Sequence, residues 1–549
     1  MNFTIKQVSS LEKILPGGFS EVLTVNRQTL MRGETFSYQI AIESSDNMEW
    51  KPEIDSPLKE SIKLYAVKNI TCDHPAYPDA DDDYITKSPS LIPDLLMPIE
   101  LEKNFIRIAN GAASFWITVK IPEDIAPGEY PITTLLSATD WDTTISATQK
   151  MTIEVIDATL PIQQTKFTQW FHVDCIATAH NVEIYSEEHW NLIEKYIALA
   201  SELGINMLLT PVITPPLDTN IGLTRPCTQL VKIEKTGEKY NFDFSLLKRW
   251  ISLCHKNGIK YFEISHLFSQ WGLKYAPNIK VTENGVEDYM FGWHTDAQSD
   301  EYRDFLTQFL PQLIAFLDEE GIKDNCWFHV SDEPSLEHLP AYKYAKELIT
   351  PLIKDAPTFD AISNYEFFET GLIANPVVST NHIEPFLENN VENFWAYYCC
   401  VQGKDVGNRF LAMPSYRNRI LGLQLYKSGA KGFLQWGYNF YFSQRSVKKI
   451  NPYVTTSGDM AFPSGDSFSV YPIENGVAPS LRAVIFKEAL NDVEICRMLE
   501  KYIGRDKVIE MIDHEADMNL TYSVYPRNPE FVPKLIEKMK QMIKKYACQ

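Results

Sequence analysis

The segment Ser331-Asp332-Glu333-Pro334 places two carboxyl groups side by side, directly after the apolar run 326–330. A carboxylic acid can protonate the leaving oxygen of a glycosidic bond, whose cleavage passes through an oxocarbenium-like transition state. Neighbouring side chains on an extended chain point in different directions, so the two groups can act on different atoms of one substrate. We therefore expect Glu333 to be the acid and Asp332 to orient a 2-acetamido group whose own oxygen attacks the anomeric carbon.

The same segment also fits the start of a helix. A capping hydroxyl or carboxylate, acidic residues at the positive end of the helix dipole and an early Pro are all typical of such a start. We favour catalysis because polar and aromatic residues end or follow the other predicted strands. Repulsion between the close carboxylates, together with burial, is expected to raise the pKa of one and to help keep Glu333 protonated at neutral pH.

Those polar and aromatic residues are the candidate substrate ligands. Flat aromatic rings suit the apolar faces of sugars, although each such residue could instead serve packing or internal hydrogen bonding. The predicted substrate-binding residues are His172, His266, Trp293, Asn364, Tyr365, Trp395, Tyr397, Trp436 and Asn439.

Metal and nucleophile motifs are not evident in the sequence. The His residues show no HxH or HExxH spacing, and there is no GxSxG turn that would present a nucleophilic Ser. The pair Cys399-Cys400 lies in an aromatic run without a matched base. We therefore predict no metal site, with a zinc site as the minority interpretation, and no Ser or Cys nucleophile.

After residue 161, short apolar runs alternate with amphipathic segments, which is typical of parallel βα units. Eight such runs close a barrel of this type, and reactive groups then follow the strands at one end. An open doubly wound sheet is the alternative, but no glycine-rich phosphate loop follows any run. The predicted strands are 167–173, 205–210, 260–265, 326–330, 358–362, 376–379, 393–399 and 432–436.

The first 160 residues show a different pattern, in which apolar and polar residues alternate at 36–42, 114–119 and 151–155. Such alternation indicates half-buried strands of a β-sandwich. Beyond residue 481 the pattern is helical. We therefore predict an α/β protein with an N-terminal β-sandwich (1–160), a (β/α)8 TIM-like barrel (161–480) and a C-terminal helical segment packed on the barrel (481–549).

Charge and length limit the partners. The chain has 549 residues and a formal net charge of −21, which repels nucleic acid and anionic membranes. No run approaches the length of a membrane helix, and the nine Cys residues are scattered, which favours a reducing compartment. We expect a cytoplasmic protein, although a secreted protein whose leader has been removed would look the same. A homodimer is one open arrangement.

The acidic run 79–83 has two interpretations. Clustered carboxylates can bind calcium, but the run lacks the Gly and the distal Glu of an EF-hand loop, so a solvated loop is preferred. Arg417 and Arg419 are expected to form structural ion pairs rather than to bind a ligand.

Four segments carry a family resemblance. They are 127–130 (Pro-Gly-Glu-Tyr), 331–334 (Ser-Asp-Glu-Pro), 429–437 (Gly-Ala-Lys-Gly-Phe-Leu-Gln-Trp-Gly) and 465–472 (Gly-Asp-Ser-Phe-Ser-Val-Tyr-Pro). Through them the chain resembles glycoside hydrolase family 123 and the related domain of unknown function 4091. The resemblance implies an exo-acting, retaining β-N-acetylgalactosaminidase that uses substrate assistance, with Asp332 as stabiliser, Glu333 as acid/base and no cofactor. The expected partner is a glycan with a terminal β-linked N-acetylhexosamine.

Two other functions stay open at this point. The chain could be a carbohydrate-binding protein without turnover, because the sandwich is large and the barrel mouth is rich in aromatic residues. It could also be a retaining glycosidase with a separate carboxylate nucleophile, such as Glu366 or Glu384 after the fifth and sixth strands.

Overall fold

The computed structural model describes residues 2–139 and 144–547. Its N-terminal part forms two five-stranded sheets, with strand orders β1-β3-β8-β5-β6 and β2-β10-β9-β4-β7. The ten strands are β1 Phe3–Ser9, β2 Arg27–Arg32, β3 Thr35–Ser44, β4 Met48–Asp55, β5 Ile62–Cys72, β6 Ser90–Pro98, β7 Ile106–Ile108, β8 Gly111–Lys120, β9 Gly128–Thr139 and β10 Thr144–Thr159.

The alternate apolar residues of this region form a core between the two sheets. In β3 the intervening residues Ser37, Gln39 and Ala41 are buried as well, so this strand is covered on both faces rather than half-buried. Ile40 on β3 and Ile117 on β8 belong to the same apolar core as Trp50 on β4 and Ile153 on β10. The runs predicted as strands at 36–42, 114–119 and 151–155 lie within β3, β8 and β10.

Strands and helices alternate in the rest of the chain. The strands are β11 Lys166–Gln169, β12 Met207–Thr210, β13 Lys232–Thr236, β14 Lys239–Asp243, β15 Tyr261–Ile264, β16 Ile279–Glu283, β17 Val286–Phe291, β18 Cys326–Phe328, β19 Phe359–Ile362, β20 Asn375–Ser379, β21 Trp395–Tyr397, β22 Gly432–Gln435, β23 Val470–Ile473 and β24 Gly476–Pro479. The helices are α1 Val173–His180, α2 Glu187–Glu202, α3 Ser245–Lys256, α4 Asp300–Glu319, α5 Leu339–Ile349, α6 Tyr365–Glu369, α7 Glu384–Glu388, α8 Tyr416–Arg419, α9 Leu421–Ser428, α10 Leu481–Ile503, α11 Arg505–Ala516 and α12 Phe531–Ala547.

Eight parallel strands form a nearly closed barrel. Their order is β18-β15-β12-β11-β22-β21-β20-β19, and a single parallel bridge between Phe328 and Thr358 connects the two edges. Each strand overlaps one of the eight predicted runs, so the prediction of an eight-stranded parallel barrel is confirmed. Because all eight strands run in the same direction, their carboxyl ends meet at one mouth.

A second small sheet was not predicted. The hairpins β13–β14 and β16–β17 follow barrel strands β12 and β15 and pair into the order β14-β13-β16-β17. The sequence does contain a hairpin signal here, because Asn284 and Gly285 separate β16 from β17 and both have positive φ. The strands themselves are short and largely polar, which hides them from an apolar-run search.

The C-terminal helices join the barrel to the N-terminal sheets. On α10, Phe486 stacks on Phe167 of β11 with ring centroids 4.4 Å apart. On α12, Lys540 forms an ion pair of 2.9 Å with Glu34, between β2 and β3. The predicted helical segment therefore contacts both neighbouring parts. Within residues 2–139 and 144–547, none of the helices combines the length and apolar character that membrane crossing requires.

The acidic run 79–83 is a loop that reaches from the N-terminal sheets to the barrel. It is not simply solvated, because Asp81 receives two hydrogen bonds from the Arg417 guanidinium at 2.7 and 2.9 Å. Arg419 similarly forms ion pairs with Glu488 and Asp492 on α10. The prediction that both arginines form structural ion pairs is therefore confirmed.

Candidate active site

The mouth of the barrel contains a cavity of about 120 Å³. Side chains that follow six different barrel strands meet around it, as expected for parallel strands whose carboxyl ends share one edge. The lining residues are Trp170, Leu217, Asp218, Gln270, Trp271, Asp332, Glu333, Ala361, Tyr397, Tyr398, Cys399, Cys400, Leu434, Trp436 and Phe462.

Asp332 forms the deeper part of the carboxylate pair and is only 7% exposed. The Gln270 side-chain amide donates a hydrogen bond of 2.7 Å to Asp332 Oδ2, and Gln270 Oε1 accepts from the backbone N–H of Asp218. Burial, and then the neighbouring Glu333 carboxylate, raise the pKa of Asp332 to about 7. In the ligand-free protein the raised pKa therefore belongs to the buried Asp332, whereas the sequence interpretation assigned the retained proton to Glu333.

Glu333 is exposed at the same cavity and is held from the other side of the barrel. The Tyr397 hydroxyl donates a hydrogen bond of 2.6 Å to Glu333 Oε1. The Glu333 backbone has φ +44°, a left-handed conformation that is strained for a residue with a side chain. Asp332 is buried and Glu333 is exposed, so the two carboxyl groups face the cavity from different depths.

The helix-start interpretation of this segment does not apply to the two acidic residues. The cap is Ser335, which with His338 forms a reciprocal capping box at the short helix Leu336–His338 before α5. Asp332 and Glu333 precede the cap in an irregular loop and are free to face the cavity.

A buried polar network supports the loop from below. His329 lies between two carboxylates, with Nε2 2.5 Å from Glu263 Oε1 and Nδ1 3.1 Å from Asp360 Oδ1. Burial acts to lower the pKa of His329, but its hydrogen bonds to Asp360 and Glu263 outweigh this and raise the pKa to about 9. Asp360 Oδ1 also accepts the backbone N–H groups of Val330 and Ser331. The network thus fixes the chain directly before Asp332.

Two further carboxyl groups belong to the surroundings of the cavity, one lining it and one behind a lining residue. Asp218 lines the cavity and accepts the backbone N–H of Arg445 at 2.9 Å, and burial raises the pKa of Asp218 to about 6. Asp466 lies behind Trp436 and accepts its indole N–H at 2.8 Å. Burial raises the pKa of Asp466 to about 7. Trp436 is therefore held in a fixed orientation at the wall.

The structure brings four predicted site residues together at the cavity: Asp332, Glu333, Tyr397 and Trp436. It places the other seven predicted substrate ligands elsewhere, and each of them has a contact within the protein that accounts for its position.

Three of these seven stabilise the loops or the floor below the cavity. Asn439 exchanges two hydrogen bonds with the backbone of His172, at 2.8 and 3.0 Å, which joins the loops after β11 and β22. His172 is buried, and burial together with Arg225 lowers its pKa to about 3. His266 is buried with its ring stacked 4.0 Å from that of His329.

The other four lie further from the cavity. Trp293 donates its indole N–H to the Leu223 carbonyl at 2.7 Å. Asn364 caps α6, Tyr365 packs edge-on against Phe386, and Trp395 fills the barrel interior beside Trp327 and Phe359.

Several cavity residues were not predicted as site residues. Gln270 and Trp271 lie in the loop after β15, and Asp218 follows β12 after a Pro-rich turn, so their position after a strand was a usable signal. Phe462 lies in a long irregular segment after β22 whose fold the sequence pattern does not indicate. Across the described ranges, no cluster of three or more His, Cys, Asp or Glu residues has the geometry to hold a metal ion.

Comparison with known proteins gives a family assignment. The model of the glycoside hydrolase 123 catalytic domain matches residues 170–499 of the 549-residue chain. The chain belongs to glycoside hydrolase family 123. The matched range of this family 123 protein starts at Trp170 and includes most of α10, and it contains every lining residue of the cavity.

Solved structures extend the likeness to the whole family 123 chain. A family 123 glycoside hydrolase from Clostridium perfringens aligns with a TM-score of 0.74 and 18% identity, over 100% of this chain and 99% of that one. A β-glucuronidase from Parabacteroides merdae aligns at TM-score 0.32 and 11% identity, over 82% and 49% of the two chains. An endo-β-1,4-mannanase from Thermotoga petrophila aligns with a TM-score of 0.32 and 12% identity, over 60% of this chain and 76% of that one. No curated protein sequence matches this chain.

Proposed function

We propose that this family 123 glycoside hydrolase is an exo-acting β-N-acetylgalactosaminidase that retains the anomeric configuration by substrate assistance. The observation that carries the proposal is the difference in depth between Asp332 and Glu333, which are adjacent in the chain and reach the same cavity. Asp332 is buried and fixed by Gln270, whereas Glu333 is exposed and fixed by Tyr397. The Clostridium perfringens relative acts in glycolipid glycan hydrolysis, which is consistent with a glycan substrate.

In the first step, Glu333 donates its proton to the glycosidic oxygen while the acetamido oxygen of the sugar attacks the anomeric carbon. The bond to the leaving group breaks and a positively charged oxazolinium forms. Asp332 accepts a hydrogen bond from the acetamido N–H and stabilises that charge, which is worth most in a buried, water-excluded position. Gln270 keeps the Asp332 carboxylate oriented by donating to its other oxygen.

In the second step, Glu333 takes a proton from a water molecule that attacks the anomeric carbon. The oxazolinium ring opens, the acetamido group is restored and the sugar leaves with its original configuration. Two displacements at one carbon give net retention. The exposed position of Glu333 allows water to reach it once the leaving group has departed.

The sharpest test compares two glutamates. Glu333→Gln should lower kcat on p-nitrophenyl β-N-acetylgalactosaminide by about 10²–10⁴-fold, since general acid catalysis contributes this much. Glu366→Gln is the matched control, because Glu366 is exposed, follows β19 and does not line the cavity. Unchanged turnover in Glu333→Gln would remove Glu333 from the mechanism.

Substrate chemistry tests the role of the acetamido group. A thiazoline analogue of the oxazolinium should inhibit competitively, and the 2-hydroxy galactoside should be hydrolysed far more slowly than the acetamido substrate. Equal rates on both would instead indicate an enzyme nucleophile. Neither Glu366 nor Glu384 lines the cavity, so Asp218 is the residue that such a result would favour.

A binding protein without turnover is the remaining alternative. Its signature would be calorimetric binding of N-acetylhexosamine glycosides with no hydrolysis across a panel of aryl glycosides. Measurable turnover that depends on Glu333 would exclude it.

A further inference from the structure

Trp271 has a large apolar side chain that is exposed to solvent at the rim of the cavity. It is 48% exposed and lines the cavity next to Gln270, the residue that holds Asp332. Trp170 and Trp436, which also line the cavity, are more deeply buried and donate their indole N–H groups to Glu263 and Asp466. The exposed indole of Trp271 therefore has apolar surface available for a ligand.

The turn that presents Trp271 is strained and firmly anchored. Trp271, Gly272 and Leu273 have φ of +52°, +126° and +53°, and left-handed conformations are unfavourable for Trp and Leu. Gln270 fixes one end of the turn, and the buried Leu273 fixes the other. Gly272 packs so closely on the His338 ring that an added Cβ would lie 3.2 Å from it. These contacts fix the backbone of the turn and therefore the point from which the Trp271 side chain projects.

The depth of the two carboxyl groups gives the direction of the substrate. Asp332 lies deep, so the acetamido group of the terminal sugar points inward, whereas the exposed Glu333 must face the glycosidic oxygen. The leaving group therefore extends toward the rim, where Trp271 is exposed. A pyranose ring has apolar C–H faces that can be buried against an indole.

Resting on the function proposed above, we propose that Trp271 is the stacking platform for the sugar on the leaving-group side of the cleaved bond. The substrate class is then an N-acetylhexosamine β-linked to a second sugar, in preference to glycosides with a small alkyl group. Trp271 determines this preference through contact with the second ring and takes no part in proton transfer.

Binding to the Glu333→Gln protein tests the platform without turnover. Calorimetry would compare methyl β-N-acetylgalactosaminide with a disaccharide of N-acetylgalactosamine β-linked to galactose. The disaccharide should bind about tenfold more tightly, a ratio that corresponds to one good aromatic contact. Adding Trp271→Asn should abolish that ratio because disaccharide binding weakens much more than binding of the methyl glycoside, and Trp271→Phe should keep most of the ratio.

Trp271→Asn is chosen because Asn tolerates the left-handed backbone and so preserves the turn. A disaccharide preference that survives Trp271→Asn would overturn the platform, as would an equal loss of affinity for both ligands. If the Glu333→Gln protein binds neither ligand, the proposed function fails and the platform with it. Binding of the methyl glycoside without a disaccharide preference would overturn the platform alone.

Discussion

This protein has two pairs of acidic residues in which the two members lie close together, and the two pairs differ in their hydrogen-bond donors. Glu488 and Asp492 are buried on α10, and the Arg419 guanidinium donates hydrogen bonds to both carboxylates. Asp332 and Glu333 face the cavity, and their hydrogen-bond donors are the neutral Gln270 amide and Tyr397 hydroxyl. In the part of the chain that the structure describes, no Lys or Arg forms an ion pair with either member of the cavity pair.

The difference separates the structural carboxylate pair from the pair that we propose to be catalytic. Burial raises the pKa of Glu488 to about 7 and that of Asp332 to about 7, so the shift itself does not distinguish them. The counter-charge distinguishes them. Arg419 gives the α10 pair a permanent positive partner. The cavity pair has no such partner among the described residues, and the positively charged oxazolinium would take that place during the proposed reaction.

Removing the counter-charge of the structural pair should have the largest effect. Arg419→Met leaves two buried carboxylates unpaired and should lower the free energy of unfolding by about 3–5 kcal/mol. Urea denaturation measures the change. Arg249→Met is the matched control, because its ion pair with Glu187 is exposed and should contribute at most about 1 kcal/mol. Equal effects of the two substitutions would contradict the comparison.

The cavity pair should respond in the opposite way. Asp332→Asn should lower kcat on the aryl β-N-acetylgalactosaminide by about 10²–10³-fold, because the oxazolinium loses its stabilising charge. The melting temperature should stay the same or rise, since a neutral amide replaces a carboxyl group that repels Glu333. A large fall in melting temperature with activity retained would show that Asp332 is structural.

The His329 network should make stability depend on pH. Because the pKa of His329 is raised in the folded protein to about 9, its contribution is complete below about pH 6.5 and is lost as pH rises through 9. For a buried group this is worth up to roughly 3 kcal/mol. Urea denaturation at pH 6.5 and 9.5 measures it. In His329→Gln this step should be absent, and a persistent step of equal size would assign it to other groups.

The smallest effect is expected at the donor to Glu333. Tyr397→Phe removes the hydroxyl that orients Glu333 and should lower kcat/KM about tenfold, the value of one lost hydrogen bond to a charged group. Tyr344→Phe is the control, because the buried Tyr344 hydroxyl has no hydrogen-bond partner within the described ranges. Equal kinetics of the two variants would remove Tyr397 from the site.

The main strands and helices of this fold could be predicted from the sequence because local residue patterns indicate them. Each of the eight barrel strands overlaps one short run predicted from the sequence, and the apolar positions Tyr38, Ile40 and Ile42 of β3 lie in the core between the two N-terminal sheets. The hairpins β13–β14 and β16–β17 were missed because most of their side chains are polar and lie outside the main core.

Only some of the residues at the site could be predicted from the sequence. Asp332, Glu333, Tyr397 and Trp436 were found because parallel strands bring their carboxyl ends to one mouth. Trp395 shows the limit of that rule. It is two residues before Tyr397 on the same inward face of β21, but it lies one layer deeper and fills the barrel beside Phe359.

The parallel strands and the adjacent carboxyl groups could be predicted from the sequence, because apolar periodicity and neighbouring residue types are local properties. Which polar side chains reach the cavity and which stabilise its walls became visible only in the folded protein. That choice depends on depth along the barrel axis and on partners distant in the chain. Gln270, which holds Asp332, and Tyr397, which holds Glu333, lie 62 and 64 residues from the carboxylates they position.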